Sequence, residues 1–406
     1  MKTFKLSENN FLLIIFLFSL IVRAAYAVHL SPQQLSQDSY GWMATASDLL
    51  AGHGFGDAWK PPAFPVYLSI VMFFFGKSIL VLRLFNCLLG SLTCVLAYFI
   101  GKKIFPEGVG GIAAVLVSFY PYFIAYAGDL LSETFFTFMI ALSALLILAC
   151  SEKPVFINTA MAGIVMGLTS LTKSTILPFF LFSCLWIWWQ TKSFMKGFIV
   201  GLFMVLAIMP WTIRNYANYH AFIPITTMWQ SAYLSCNDGA MYYETAGERD
   251  APQIIEDSLP ITPGDYTEIL KLPRMEQERV FKQKSLAWLR SNPASFKKMV
   301  WLRLFHFWRL YPMMAYKWQK IVALFTSGLY IILCWIGAAL SLKYFKKTIL
   351  FLGLFAIFTL VHLFFFVSVR YRVPIDPYII IFASFTIYAI LAKVNSFIHK
   401  LEPLRS

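Results

Sequence analysis

The sequence predicts an all-α polytopic membrane protein with about ten transmembrane helices. It expects interfacial helices in the first outer loop and one outer soluble segment. Two observations carry the membrane class. Hydrophobic residues make up 59% of the 406-residue chain and charged residues 13%, with 40 Phe, whereas a soluble domain carries about a quarter charged residues. Apolar runs of bilayer-spanning length then recur along the chain. Hydrocarbon offers no partner to backbone N–H and C=O groups, so such runs must be helices, and the length suits about ten of roughly 20 residues plus a sizeable polar part.

The spans are expected at 11–29, 79–100, 109–127, 131–150, 156–173, 174–190, 197–213, 321–342, 348–368 and 374–392. Lys2 and Lys5 before the first run resemble a signal-peptide start, but the run continues to Val28, too long for an h-region, and reads as a retained span with Arg23 near the outer interface. Basic residues set the orientation. With residues 1–10 inside, the inward short segments hold thirteen Lys and Arg against seven outward, and the exempt long segment 214–320 holds fourteen. Both termini are therefore expected inside, and most acidic residues fall outside.

Three regions follow. Residues 1–213 form an N-terminal membrane module with a catalytic first outer loop (29–78), 214–320 an extracytoplasmic segment with an interfacial helix, and 321–406 the C-terminal membrane helices. The net charge of +14 does not point to nucleic acid, because the cations sit at span ends and in the long loop, where headgroups and phosphates are the partners. Five of the six cysteines lie in apolar runs, which excludes a disulfide framework.

The first loop, Gln37–Pro65, concentrates Asp38, Asp48, Asp57, His53 and Lys60 around a helical run (Tyr40–Leu50), a glycine-rich stop and a Lys60-Pro61-Pro62 step. Residues 66–78 read as a helix returning this loop to the membrane. Asp38 is a candidate general base; the structural alternative is an N-cap for the helix after it. Asp129 and Glu133 stand four apart, so one helix would present both on one face. They would hold an acceptor or a divalent cation, or simply complement a helix N-terminus. Lys60, Arg214, Arg370 and Arg372 would converge on a phosphate, or snorkel to headgroups. Asp48 reads as solvated, Asp57 as a turn residue and each histidine as structural. Residues 294–311, with Lys297, Lys298, Arg303 and Arg309 among aromatics, fit a helix in the headgroup plane.

The order of these signals is more specific than any one of them. Asp38-Ser39-Tyr40, Leu50-Ala51-Gly52-His53-Gly54-Phe55 and Lys60-Pro61-Pro62-Ala63-Phe64-Pro65 precede Tyr120-Pro121, Ser132-Glu133, Pro210-Trp211-Thr212-Ile213-Arg214-Asn215-Tyr216 and Arg370-Tyr371-Arg372-Val373-Pro374-Ile375-Asp376-Pro377. This succession resembles the GT-C-type, polyprenyl-phosphate-dependent glycosyltransferases, such as the family 39 protein mannosyltransferases and the lipid A aminoarabinose transferases. The resemblance implies a sugar donor on a polyprenyl phosphate, a lipid, glycan or protein acceptor, and membrane lipids as surroundings. It implies a bacterial plasma membrane enzyme with an extracytoplasmic site and an inverting transfer. It makes Asp38 the base, leaves the second acid between Asp129 and Glu133, makes Lys60 a phosphate contact and places the last-loop arginine at Arg370 or Arg372; Tyr40 and Arg214 join Lys60, Arg370 and Arg372 as substrate-binding candidates. No cofactor is assigned, and a divalent cation is admitted. One departure is Ser39 after Asp38, where the mannosyltransferases often carry Asp-Glu. The rivals are a lipid or solute transporter, which repeats or intramembrane charges would favour, and a subunit without catalysis.

Overall fold

Ser7 opens the first helix, α1 (Glu8–His29), its side chain accepting the Asn10 amide at 3.2 Å. The computed structural model describes residues 7–401 apart from 33, 57, 247–264, 312–315 and 366, so Lys2, Lys5 and Asp57 lie outside the described residues. The first loop forms α2 (Gln37–Leu50) and α3 (Ala63–Phe75), the latter stopped by Gly76 at φ 79°. A bundle follows: α4 (Ile79–Ile104), α5 (Glu107–Ser118), α6 (Pro121–Gly128), α7 (Ser132–Glu152), α8 (Phe156–Ser170), α9 (Leu177–Thr191) and α10 (Phe194–Tyr219). The polar segment contributes α11 (Trp229–Ser235), α12 (Asp238–Ala246), α13 (Tyr266–Ile269), α14 (Arg274–Ser291) and α15 (Pro293–Phe307). Next comes α16 (Lys317–Ala323), which continues through a π-helical turn at Leu324–Gly328 into α17 (Leu329–Leu340). The chain then forms α18 (Phe345–Phe364), the short α19 (Val369–Arg372) and α20 (Asp376–Leu401). Among the described residues there is no strand.

A helix stands at each of the ten expected positions, but length does not make ten spans. Among the described residues six helical runs are long and apolar enough to cross a bilayer, or seven counting α5 and α6, which meet at a 49° bend. The 15-residue α8 and α9 rise only about 22 Å each, short of a roughly 30 Å hydrocarbon core. One of the six, Lys317–Phe364, is 48 residues long and is interrupted by a 3-10 turn at Ser341–Tyr344.

The bend between α5 and α6 has a local cause. Pro121 cannot donate to the carbonyl of Val117. Arg23, fully buried within the protein, supplies donors there: its guanidinium reaches Val117 O at 3.2 Å and Ser118 O at 3.1 Å.

Glycines set the closest helix approach. A Cβ on Gly163 of α8 would lie 2.3 Å from Val200 O of α10, and one on Gly167 would lie 2.6 Å from the Ala207 Cβ. At one end of the bundle, Lys102 pairs with Glu8 and Glu107 at 2.7 and 2.8 Å, while Glu152 takes Lys103 and Lys347. These are the residues expected on the inward side. The opposite ends of α1 and α7 carry the first loop and Glu133.

Candidate active site

Three distant stretches meet at the first-loop end of the bundle. Ser36 takes the cap position of α2 in extended conformation, so Asp38 is the second helical residue and not the cap. Leu131 precedes α7 and places Glu133 in its first turn. The short α19 brings Arg370 between the two carboxylates. Its Nη1 donates to Asp38 Oδ2 at 2.8 Å and its Nε to Glu133 Oε1 at 2.6 Å. Lys173, on the turn after α8, donates to the same Glu133 oxygen at 2.9 Å. The Glu133 side chain is fully buried, while Asp38 is 60% exposed and Arg370 27%. The geometry thus presents an open carboxylate at the mouth and a buried one beneath, with Arg370 bridging them and Lys173 on the buried one. Glu133 Oε2 is buried without a hydrogen-bond partner.

Lys173 went unnoticed in the sequence because it stands among ordinary span-end cations. Burial holds its ammonium below the ordinary lysine range, against the pull of Glu133. The rings of Phe136 and Tyr371 each lie 5.7 Å from its Nζ. The signal that separates it from other lysines, proximity to Glu133, exists only in three dimensions.

The other expected residues divide. Lys60 donates to Gly41 O at 3.0 Å and sits 5.2 Å from the Trp42 ring centre. A Cβ at position 41 would lie 2.9 Å from that ammonium, so a larger residue there would shift the Lys60 side chain. Arg214 stacks on Trp211 and donates to Gly56 O at 3.0 Å, and Tyr219 donates to the same carbonyl at 3.1 Å. Lys60 and Arg214 thus fasten the first loop and leave some donors unused. Tyr40 is exposed on α2.

Asp129 is not on one helix face with Glu133. It caps the end of α6, three residues before α7 begins. Its Oδ1 accepts Ser39 Oγ at 2.6 Å, Leu130 N at 2.9 Å and Ser36 N at 3.4 Å, which ties α2 to the bundle.

Arg372 is not in the cluster. It is fully buried, donating to Asp376 at 3.1 Å, to Phe307 O and Arg309 O at 3.0 and 2.9 Å, and to Ser327 Oγ at 2.9 Å. Arg303 likewise faces the protein: it is buried against Glu244 at 3.0 Å, and His306 is held by the other oxygen of that carboxylate at 2.6 Å. Lys297, Lys298, Trp301 and Phe305 on the same helix remain exposed.

A divalent cation does not fit this arrangement, because Arg370 already occupies the position between Asp38 and Glu133. Among the described residues no three His, Cys, Asp or Glu side chains gather as a metal site.

Residues 59–213 match the family model for dolichyl-phosphate-mannose-protein mannosyltransferases. No curated protein sequence matches the chain significantly. Among solved structures, the chain is similar to the archaeal oligosaccharyltransferase AglB from Archaeoglobus fulgidus in complex with an inhibitory peptide and a dolichol-phosphate. That match has a TM-score of 0.59 at 14% identity, over 97% of this chain and 51% of that one. The apo form of the Archaeoglobus enzyme gives 0.55 at 14% identity, over 96% and 52%. ArnT from Cupriavidus metallidurans bound to undecaprenyl phosphate gives 0.45 at 14% identity, over 88% and 77%. The fold is therefore GT-C, and the chain spans about half the length of the oligosaccharyltransferase.

Proposed function

We propose that this protein is a membrane glycosyltransferase that moves a sugar from a polyprenyl-phosphate donor to an acceptor on the extracytoplasmic side, with inversion at the anomeric carbon. The observation that carries this reading is the Asp38–Arg370–Glu133–Lys173 cluster at the loop end of a GT-C bundle. A mannosyltransferase family model over 59–213 supports it.

A lipid-linked donor keeps its tail in the bilayer and offers its phosphate to the loop cations. The phosphate competes with Asp38 for Arg370, because a guanidinium binds either anion through the same fork. Released from that bond, Asp38 takes the proton of the acceptor hydroxyl or amine. The acceptor atom attacks the anomeric carbon, the carbon–oxygen bond to phosphate breaks, and its electron pair leaves on the phosphate oxygen. Arg370, Lys60 and the unused Arg214 donors neutralise that charge. Glu133, itself paired with Lys173, holds Arg370 from beneath.

The test uses purified protein in nanodiscs with a polyprenyl-phosphate mannose, measuring release of polyprenyl phosphate. Asp38→Asn is expected to lower turnover at least about 100-fold, the scale of a lost general base. Turnover at the wild-type rate would remove Asp38 from the chemistry. The absence of release by the wild type with any lipid-phosphate sugar would favour a transporter or a subunit without catalysis.

A further inference from the structure

The carboxylate of Asp38 is only as well placed as the chain that leads into α2. That chain is gripped by a residue no motif singles out. Arg83 sits in the first turns of α4 and is 1% exposed. Its Nη1 donates to Leu30 O at 3.0 Å and Ser31 O at 3.1 Å, and its Nη2 to Ser31 O at 3.1 Å and Gln34 O at 3.0 Å. Leu30 ends α1, so the guanidinium also sits at the negative end of that helix. One turn further along α4, Asn86 donates to the Asp129 carbonyl at 3.2 Å, and Asp129 in turn holds Ser36 N and Ser39 Oγ. A single edge of α4 therefore fixes the strap from both sides, four residues before Asp38 and one after it.

We infer that Arg83 is a positioning residue for the transfer. By gripping the Leu30, Ser31 and Gln34 carbonyls it holds the start of α2, and with it Asp38, at hydrogen-bonding distance from Arg370. The inference rests on the function proposed above. The chemistry of the grip favours arginine specifically: three carbonyls at different angles are met by a planar fork, which a lysine's point charge does not reproduce. Glutamine and methionine reach none or one of them. With the grip gone, the N-terminus of α2 keeps the Asp129 bonds and the Asp38–Arg370 pair but loses the anchor of the chain that leads into it. The loop swings, and Asp38 leaves its place without any change in the residues that meet the phosphate.

The experiment compares full-length wild type, Arg83→Met and Arg83→Lys in nanodiscs. Amide exchange across 34–41 reads the loop directly. Turnover of a polyprenyl-phosphate mannose, resolved into kcat and KM, reads the site. Arg83→Met is expected to speed exchange in 34–41 while α7 and α10 keep theirs. It is expected to lower kcat about 10- to 100-fold, the cost of a small misplacement of a reacting group, with KM within about threefold. Arg83→Lys is expected to recover part of kcat. Unchanged exchange in 34–41, wild-type kcat in the methionine variant, or a KM that rises as kcat falls would each overturn the inference. So would a methionine variant that melts throughout the bundle with no recovery by lysine, since that describes a residue needed only for folding. A wild type that releases no polyprenyl phosphate would sink the proposed function, while the exchange comparison would still decide whether Arg83 holds the loop.

Discussion

Arg370 shows what one guanidinium does that one ammonium cannot. Its Nη1 and Nε reach Asp38 and Glu133 in two directions at once, and a lysine offers a single point charge there. Arg370→Lys should keep the charge and lose the bridge, lowering kcat about 100-fold in the release assay while the protein folds normally; wild-type turnover would show that charge alone suffices. Glu133→Gln acts differently. It strips the buried counter-charge from Arg370 and Lys173, and breaking a buried pair costs about 3 kcal/mol or more. The expected result is a clear drop in the unfolding midpoint in nanodiscs, and an unchanged midpoint would mean that water or lipid phosphate already neutralises those cations. Asp38, Glu133 and Arg370 were legible in the sequence because each is an ionisable residue where an apolar chain turns. Choosing between Arg370 and Arg372 was not. Two residues apart on a helical turn, their side chains point about 200° apart, so one faces the loop and the other the core. Which faces which depends on the bundle around them.

The apolar runs were enough to locate the helices, since a run that must satisfy its own backbone in hydrocarbon has one regular solution. The breaks between them were harder to read. Pro121 was visible, yet the run 109–127 reads as one span, because the donor that tolerates the bend is Arg23 from another helix. Asp129 and Glu133 fell on separate elements for a related reason: the Asp129 carboxylate serves the first turn of α2 and the adjacent Leu130 amide, so α7 starts only at Ser132. Packing between helices depends on small residues at i and i+4. Gly163 and Gly167 let α8 touch the backbone of α10 at Val200 and Met204, the close approach that glycine permits in a membrane. Gly163→Val should push the two helices apart and cost about 1–3 kcal/mol of stability, read as a lower unfolding midpoint. A midpoint at the wild-type value would show that α8 and α10 do not need this contact.

Across the molecule, the four bulkiest fully buried side chains are all arginines: Arg23, Arg83, Arg303 and Arg372. Each donates to carbonyls near a helix end: Val117 and Ser118, Leu30 and Ser31, Ser235 and Leu363, and Phe307 and Arg309. The last carbonyls of a helix have no intrahelical donor, and in a bilayer water cannot replace it. Part of the +14 charge is therefore internal scaffolding rather than a phosphate site. Arg372 ties the most together. It joins the end of α15, the π-helical turn at Ser327 and Asp376 at the start of α20, and Tyr120 from the α5–α6 bend donates to the same carboxylate at 2.6 Å. Tyr120 thereby ties the N-terminal half of the bundle to an ion pair of the C-terminal half. Arg372→Met should leave Asp376 charged and alone, costing about 3–5 kcal/mol. Adding Asp376→Asn should return most of the loss, because the amide needs no counter-ion and still accepts from Tyr120. In whatever fraction of the single variant stays folded, KM for a polyprenyl-phosphate mannose should remain at the wild-type value. A raised KM in protein with an intact unfolding midpoint would mean that Arg372 reaches the donor after all, and that the buried pair gives way when substrate binds.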